Sequence, residues 1–214
     1  MGMKLYNYFR SSASFRVRIA LNLKGLSYEY IPIHLAKGEH LLDAFAPLSA
    51  DRLLPVLETQ GLRLSQSLAI CEYLDEVHPH PPLLPGDAAA RAQVRALSQM
   101  VACEIHPLNN LRVLKHLTGP MGQSESAKSA WIHHWIHTGL TALETRLVEL
   151  GAKHFCWGDR PSLADACLVP QVFNAMRFEV DLEAYPTVRR IHDHCMGLEA
   201  FDRAQPSRCP DASA

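Results

Sequence analysis

The chain of 214 residues lacks the marks of several functional classes. Its six cysteines, Cys71, Cys103, Cys156, Cys167, Cys195 and Cys209, include no Cys-x-x-Cys pair. A thioredoxin-type redox motif and a zinc ribbon both need such pairs, and the wide spacing fits reduced thiols in a cytosol. Basic blocks and basic patches interleaved with aromatics are missing too. Lys and Arg number 21 against 22 Asp and Glu, a net charge of −1, so nucleic acid is not an expected partner. No apolar run approaches membrane-spanning length, and the N-terminus has no signal-peptide core. A membrane is therefore not an expected partner, and the expected location is cytoplasmic. Gly2 could accept an acyl chain only if Ser or Thr stood where Tyr6 stands. What remains is 48% hydrophobic and 20% charged residues, the composition of a globular protein with a full core in one large or two small domains.

The chain falls into two textures. Residues 4–9 form an apolar, aromatic run that reads as a strand. Val17, Ile19, Ala20, Leu21 and Leu23 follow at helical spacing and end at Gly25. Residues 28–33 alternate as a second strand, with Pro32 pointing to an edge. Residues 53–58 are a short apolar run, and Pro55 marks an edge, a bulge or a cis peptide. Gln60-Gly61 is a turn into a strand at 62–64, and Ser65-Gln66-Ser67 opens a helix through Val77. The order β-α-β then β-β-α predicts a parallel crossover followed by an antiparallel hairpin. Residues 78–87 hold four prolines and a glycine and read as a linker. Beyond it, segments 88–117, 126–150, 162–177 and 185–200 repeat apolar residues at three- and four-residue spacing, and no strand is expected. The domains are therefore expected at 1–83 and 88–214, with a loose tail from Gln205.

Three hydroxyl side chains, Ser11, Ser12 and Ser14, sit where the first strand turns into the first helix. Free N–H groups and the positive end of the helix dipole meet there. The serines either cap the helix only, or they also hold an anion such as a thiolate. Ser162-Leu163-Ala164-Asp165 has the form of a capping box with an acid at its fourth position, so Asp165 is either a structural cap partner or an acid of the site. His133, His134 and His137 cluster, with His133 and His137 four apart. They form either a metal pair or a solvated helix face, and since no carboxylate completes a site, no metal is expected.

In combination these motifs resemble the zeta-class glutathione transferases, a family that includes cis–trans isomerases of maleylacetoacetate and maleylpyruvate. Residues 11–21 are similar to the signature Ser-Ser-Cys-x-[Trp/His]-Arg-Val-Arg-Ile-Ala-Leu, with Ala13 in place of its cysteine and Phe15 at the Trp/His position. Leu54-Pro55 matches the cis-proline step, Ser65-Gln66-Ser67 the γ-glutamyl site, and residues 106–112 and 174–182 match segments lining the cleft. Ser49-Ala50-Asp51 departs from the Asn-Pro-Gln of that family.

The resemblance implies an N-terminal thioredoxin-like α/β domain, an all-helical C-terminal domain, and a homodimer. It implies an enzyme that uses glutathione to isomerise a small dicarboxylate, maleylacetoacetate, to fumarylacetoacetate in tyrosine and phenylalanine degradation. The alternatives are maleylpyruvate, displacement on α-halo acids, or a binding protein without turnover. Leu111 favours maleylacetoacetate, since the maleylpyruvate enzymes carry an arginine there. Ser11, assisted by Ser12, is implied to hold the thiolate. Ala13, His40, Leu54, Gln66, Ser67, His106, Asn110, Leu111 and Arg112 are implied to contact glutathione, with Leu54 and Leu111 acting through their backbone. Arg10 and Arg177 suit the substrate carboxylates, because a guanidinium binds a carboxylate in a two-pronged fork. Arg16 and Arg18 are expected in salt bridges or at a subunit interface.

Overall fold

A computed structural model describes residues 2–212. The described parts of Met1–Leu84 and Met196–Ala214 form one compact unit, and Pro85–Cys195 forms another.

The first unit is built on a four-stranded sheet of order β2-β1-β3-β4, comprising β1 (Met3–Asn7), β2 (Tyr28–Pro32), β3 (Val56–Thr59) and β4 (Leu62–Ser65). β1 pairs parallel with β2 and antiparallel with β3, and β3 and β4 form an antiparallel hairpin, the mixed topology expected. Leu5 is fully buried and lies opposite both Tyr30 and Leu57, which fixes the register of the central strand. Pro32 is at the end of β2 on the sheet edge, where its missing N–H leaves no ladder bond unmade.

Helices α1 (Ser12–Leu23) and α2 (Ser67–Val77) pack on each other. Phe15, Val17, Ile19 and Leu21 of α1 and Ile70, Cys71 and Leu74 of α2 are almost wholly excluded from solvent. Gly25, at φ +63, ends α1, and only glycine adopts that conformation without steric cost. Lys24 then donates from Nζ to Asp75 Oδ1 (2.8 Å), His78 O (2.6 Å) and Pro81 O (2.9 Å). Asp75 in turn accepts from the amides of Leu83 and Leu84, so the proline-rich linker is fastened by a buried, fully bonded ion pair.

Arg16 and Arg18 do not lie at an exposed surface: they are 2% and 1% exposed, buried inside the first unit. Arg18 spends its guanidinium on Ala204 O, Asn7 Oδ1, Tyr8 O and Phe9 O. The backbone after β1 turns inward there and leaves carbonyls that only a multidentate donor can satisfy in one place.

The loose tail is also corrected. Helix α8 (Glu199–Asp202) packs on α1, and Phe201, Pro206, Cys209 and Asp211 are buried. Polar composition suggested a solvated end, but two apolar side chains and one bonded carboxylate anchor it.

The second unit contains α3 (Ala88–Gln99), α4 (Leu111–Thr118), α5 (Glu125–Glu149), α6 (Leu163–Arg177) and α7 (Pro186–Met196). The single helix expected over 88–117 is broken. After α3 the backbone widens into a π-helical turn at Met100–Ile105, then tightens to a 3-10 turn at His106–Asn109. Pro107 has no N–H to continue the ladder. A Cβ at Gly139 of α5 would lie 2.2 Å from Ile105 Cγ1, so α5 comes too close to the π turn for any other residue. The segment 185–200 is likewise broken, between α7 and α8, where Leu198 is extended.

The buried, nearly all-apolar helix expected after Ser162 is α6, with Leu163 to Val172 excluded from solvent. Asp165 is fully buried at its start. It accepts from Ser162 N (2.7 Å), Ser162 Oγ (2.8 Å) and Cys156 N (2.7 Å). Burial pushes its carboxyl above the ordinary range, against the pull of these donors. Three protein donors occupy it, which makes it a structural cap partner.

Candidate active site

In the first unit, Ser11 is the N-cap of α1. Its backbone is extended (φ −69°, ψ 115°), and its Oγ accepts from Ser14 N at 3.2 Å. That bond uses a lone pair and leaves the hydroxyl proton available to an acceptor outside the helix. Ser12 opens the helix and is 8% exposed, and Ala13 is half-buried. Neither carries a charge, and the N–H groups at the start of α1 present the positive end of its dipole beside them. Arg10 is exposed, with its guanidinium 4.8 Å from the centre of the Phe9 ring.

At the start of α2, Gln66 stands at φ 67°, ψ 110°, a conformation that non-glycine residues seldom adopt. Its side chain makes no cap bond to α2; instead Nε2 donates to Asp51 Oδ2 at 3.3 Å. The first-turn N–H groups of α2 thus begin without a side-chain cap, and Ser67 is buried beside them. Ser67 Oγ accepts from Arg16 Nη1 at 3.2 Å, which again leaves the hydroxyl proton for another acceptor. Asp51 also accepts from Ser49 Oγ (2.5 Å) and Leu53 N (3.2 Å), so the loop that departs from the family pattern is a closed hydrogen-bonded turn tied to Gln66.

The Leu54–Pro55 peptide is cis, and Leu54, two residues before β3, is 9% exposed. Its N–H and C=O enter no hydrogen bond among the described residues, so one peptide face is left to pair with an extended ligand. His40 lies in a 3-10 turn at Glu39–Leu41, half-buried.

In the second unit, His106, Asn110, Leu111 and Arg112 follow one another through the 3-10 turn into α4. Asn110 caps α4, accepting from Val113 N at 3.1 Å. Leu111 and Arg112 are exposed in its first turn, and His106 is half-buried. Arg177 is the last residue of α6, exposed, with its guanidinium 4.3 Å from the centre of the Phe178 ring. In the histidine cluster His134 is exposed, while His133 and His137 are half-buried and hydrogen-bonded. His133 Nε2 bonds Phe178 O at 2.9 Å and His137 Nδ1 bonds Tyr185 OH at 2.7 Å. Among the described residues no group of three or more His, Cys, Asp and Glu could hold a metal.

The contributions of Arg16 and Asp51 are not read from motif spacing. A cation on an apolar helix face, as Arg16 is with Ala13, Ile19 and Ala20 at three- and four-residue spacing, is the signal available for the first.

Two helix N-termini, one uncapped, and an unpaired peptide before a cis-proline suit an extended, anionic ligand. The chain matches the Glutathione S-transferase, N-terminal domain, over residues 1–76, and the Glutathione S-transferase, C-terminal domain, over 136–199. It is 48% identical over 214 residues to a probable maleylacetoacetate isomerase of Vibrio cholerae, covering 99% of each chain. Its fold superposes with TM-score 0.95 on the holo structure of a maleyl pyruvate isomerase, described as a bacterial glutathione S-transferase in the zeta class (50% identity, 97% of this chain and 99% of that one). A TM-score of 0.95 is also found with a maleylacetoacetate isomerase of Methylobacterium extorquens solved with bound malonate and glutathione (42% identity, 99% and 100% covered). This protein belongs to the zeta class of the glutathione S-transferase family.

Proposed function

We propose that this protein is a glutathione-dependent cis–trans isomerase that converts maleylacetoacetate to fumarylacetoacetate in the degradation of tyrosine and phenylalanine. The observation that carries this reading is the Ser11 N-cap, whose Oγ accepts from Ser14 N and so keeps its hydroxyl proton to donate, in a chain 48% identical to a probable maleylacetoacetate isomerase. Glutathione supplies a thiolate that adds reversibly to the conjugated double bond, permits rotation and is regenerated.

The chain's own residues do the rest. An unperturbed thiol with a pKa of about 8.5 is mostly protonated at neutral pH. Ser11 donates its hydroxyl proton to the sulfur, Ser12 assists, and the N–H groups of α1 favour the anion. Ala13 contributes backbone only, so no protein thiol is needed at the family's cysteine position. Ser67 and the uncapped turn of α2 hold the γ-glutamyl carboxylate, with Gln66 at the same end. Leu54 pairs its free peptide with the cysteinyl amide. His40, His106, Asn110, Leu111 and Arg112 complete the glutathione contacts, Leu111 through its backbone. Arg10 and Arg177 receive the substrate carboxylates. On this reading residues 1–83 are the glutathione-binding domain and 88–214 the substrate domain.

A second reading, maleylpyruvate as substrate, is favoured by the 50% identity to a maleyl pyruvate isomerase. The neutral, exposed Leu111 supports the first. We further propose a cytoplasmic homodimer, and membership of the family supports the dimer. Assays with both maleyl substrates, with and without glutathione, test the function. The expected result is turnover of maleylacetoacetate that vanishes when glutathione is withdrawn. Turnover of maleylpyruvate alone would establish the second reading. Sedimentation at micromolar concentration tests the dimer, and a monomer would refute it.

A further inference from the structure

The C-terminal segment reaches the turn that carries Ser11. Asp211, 6% exposed, accepts from Phe9 N at 3.2 Å through Oδ2 and from the Tyr30 hydroxyl through Oδ1. On the opposite side of the same residue, Arg18 Nη2 donates to Phe9 O at 3.0 Å. The backbone of Phe9 is therefore held by a carboxylate at its N–H and a guanidinium at its C=O, both buried. Phe9 is two residues before Ser11, and Ser11 N bonds Tyr8 O at 3.0 Å, so the clamp and the cap share one turn.

Apolar packing reinforces it. Cys209 belongs to one buried cluster with Tyr8, Phe9, Phe45, Leu54 and Val56, and Ala212 packs against that cluster. The tail therefore contacts the cluster that contains both Phe9 and Leu54, the neighbours of the two proposed glutathione-holding segments. Burial raises the Cys209 thiol, which keeps it protonated and inert as a packing group.

We propose that Asp211 is a positioning residue: it fixes the Phe9 peptide and so sets the direction in which the Ser11 hydroxyl and the α1 N–H groups point. The consequence for catalysis rests on the function proposed above. A buried carboxylate bonded to two donors resists displacement, whereas without it the Phe9 peptide is held by a side chain at its C=O only and can pivot about that side. Small displacements of a thiolate-holding group reduce turnover steeply.

The test measures turnover and spectroscopic titration of bound glutathione thiol in wild type, Asp211→Ala, Asp211→Asn and Tyr30→Phe. Asp211→Ala is expected to lower kcat about tenfold or more and to raise the bound thiol's pKa by about one unit. Asp211→Asn keeps an acceptor for Phe9 N–H and should stay near wild type. Tyr30→Phe should move both quantities in the same direction but less. A lower melting temperature for Asp211→Ala with unchanged thiol titration and kcat would overturn the proposal, because a purely structural tail produces that result. If Asp211→Ala fails to fold, Tyr30→Phe decides alone, and an unshifted titration overturns the proposal. If wild type neither ionises glutathione nor isomerises, the functional reading fails instead. Amide exchange at Ser11 and Ser14, against α6 amides as control, then decides the clamp: selective loss of protection in Asp211→Ala supports it, and equal protection refutes it.

Discussion

Arg16, inside α1, donates from Nη1 to the hydroxyl oxygen of Ser67 at the start of α2, 3.2 Å away and out of contact with solvent. The bond ties the two helix N-termini of the first unit to each other. It also places a buried cation next to the position proposed for the γ-glutamyl carboxylate, where low polarity strengthens attraction to an anion.

Arg16→Met keeps much of the volume and removes the donor and the charge. The glutathione KM is expected to rise about tenfold, with the KM for the maleyl substrate little changed. Steady-state kinetics with each substrate varied in turn makes the distinction. An unchanged glutathione KM would confine Arg16 to packing.

Ser11 has two roles that separate by substitution. Ser11→Ala loses both the cap, at about 1 kcal/mol, and the proton donated to sulfur. Ser11→Asn restores a cap acceptor but not the hydroxyl. Isomerase activity should therefore fall in both variants, by about 100-fold, while the melting temperature recovers in Ser11→Asn. Wild-type turnover and thiol pKa in Ser11→Ala would transfer the thiolate role to Ser12.

Arg177 ends α6 with its guanidinium over the Phe178 ring, an arrangement that orients the planar fork. Arg177→Ala should raise the KM for the maleyl substrate by about one to two orders of magnitude. Arg177→Lys should rescue only in part, since an ammonium cannot make the fork. Equal losses in both KM values would mark Arg177 as structural.

Asp165 serves the fold alone. Asp165→Ala leaves Ser162 and the Cys156 amide without their acceptor and should destabilise the protein by about 3 kcal/mol. Burial raises this carboxyl in the folded state above its unfolded value. A raised carboxyl contributes most below the unfolded value, near pH ~4, and its contribution falls as pH climbs through the raised one. Denaturant titrations across that range should show the gap between wild type and variant narrowing as pH increases.

Much of this protein was legible in one dimension. Period-two and helical spacing, with Gly25 and the prolines as punctuation, determined the mixed sheet, α1, α2 and the buried α6, because side-chain direction along a strand or helix is a local property. The serines at the first strand-to-helix turn were legible for the same reason: a cap depends on four consecutive residues. Tertiary structure decided what depends on remote neighbours. The helix expected over 88–117 carried the right periodicity, yet the close approach of Gly139 to Ile105 and the missing N–H of Pro107 broke it into π and 3-10 turns. Arg16 and Arg18 carried charge, which reads as salt bridges or an interface, but each is buried in the first unit and bonded to groups from distant segments, Arg16 to the Ser67 hydroxyl and Arg18 to carbonyls. The tail read as loose because its composition is polar and proline-rich. Only the folded chain brings Asp211 to the N–H of Phe9, 202 residues away in sequence, and no local pattern encodes a bond across that separation.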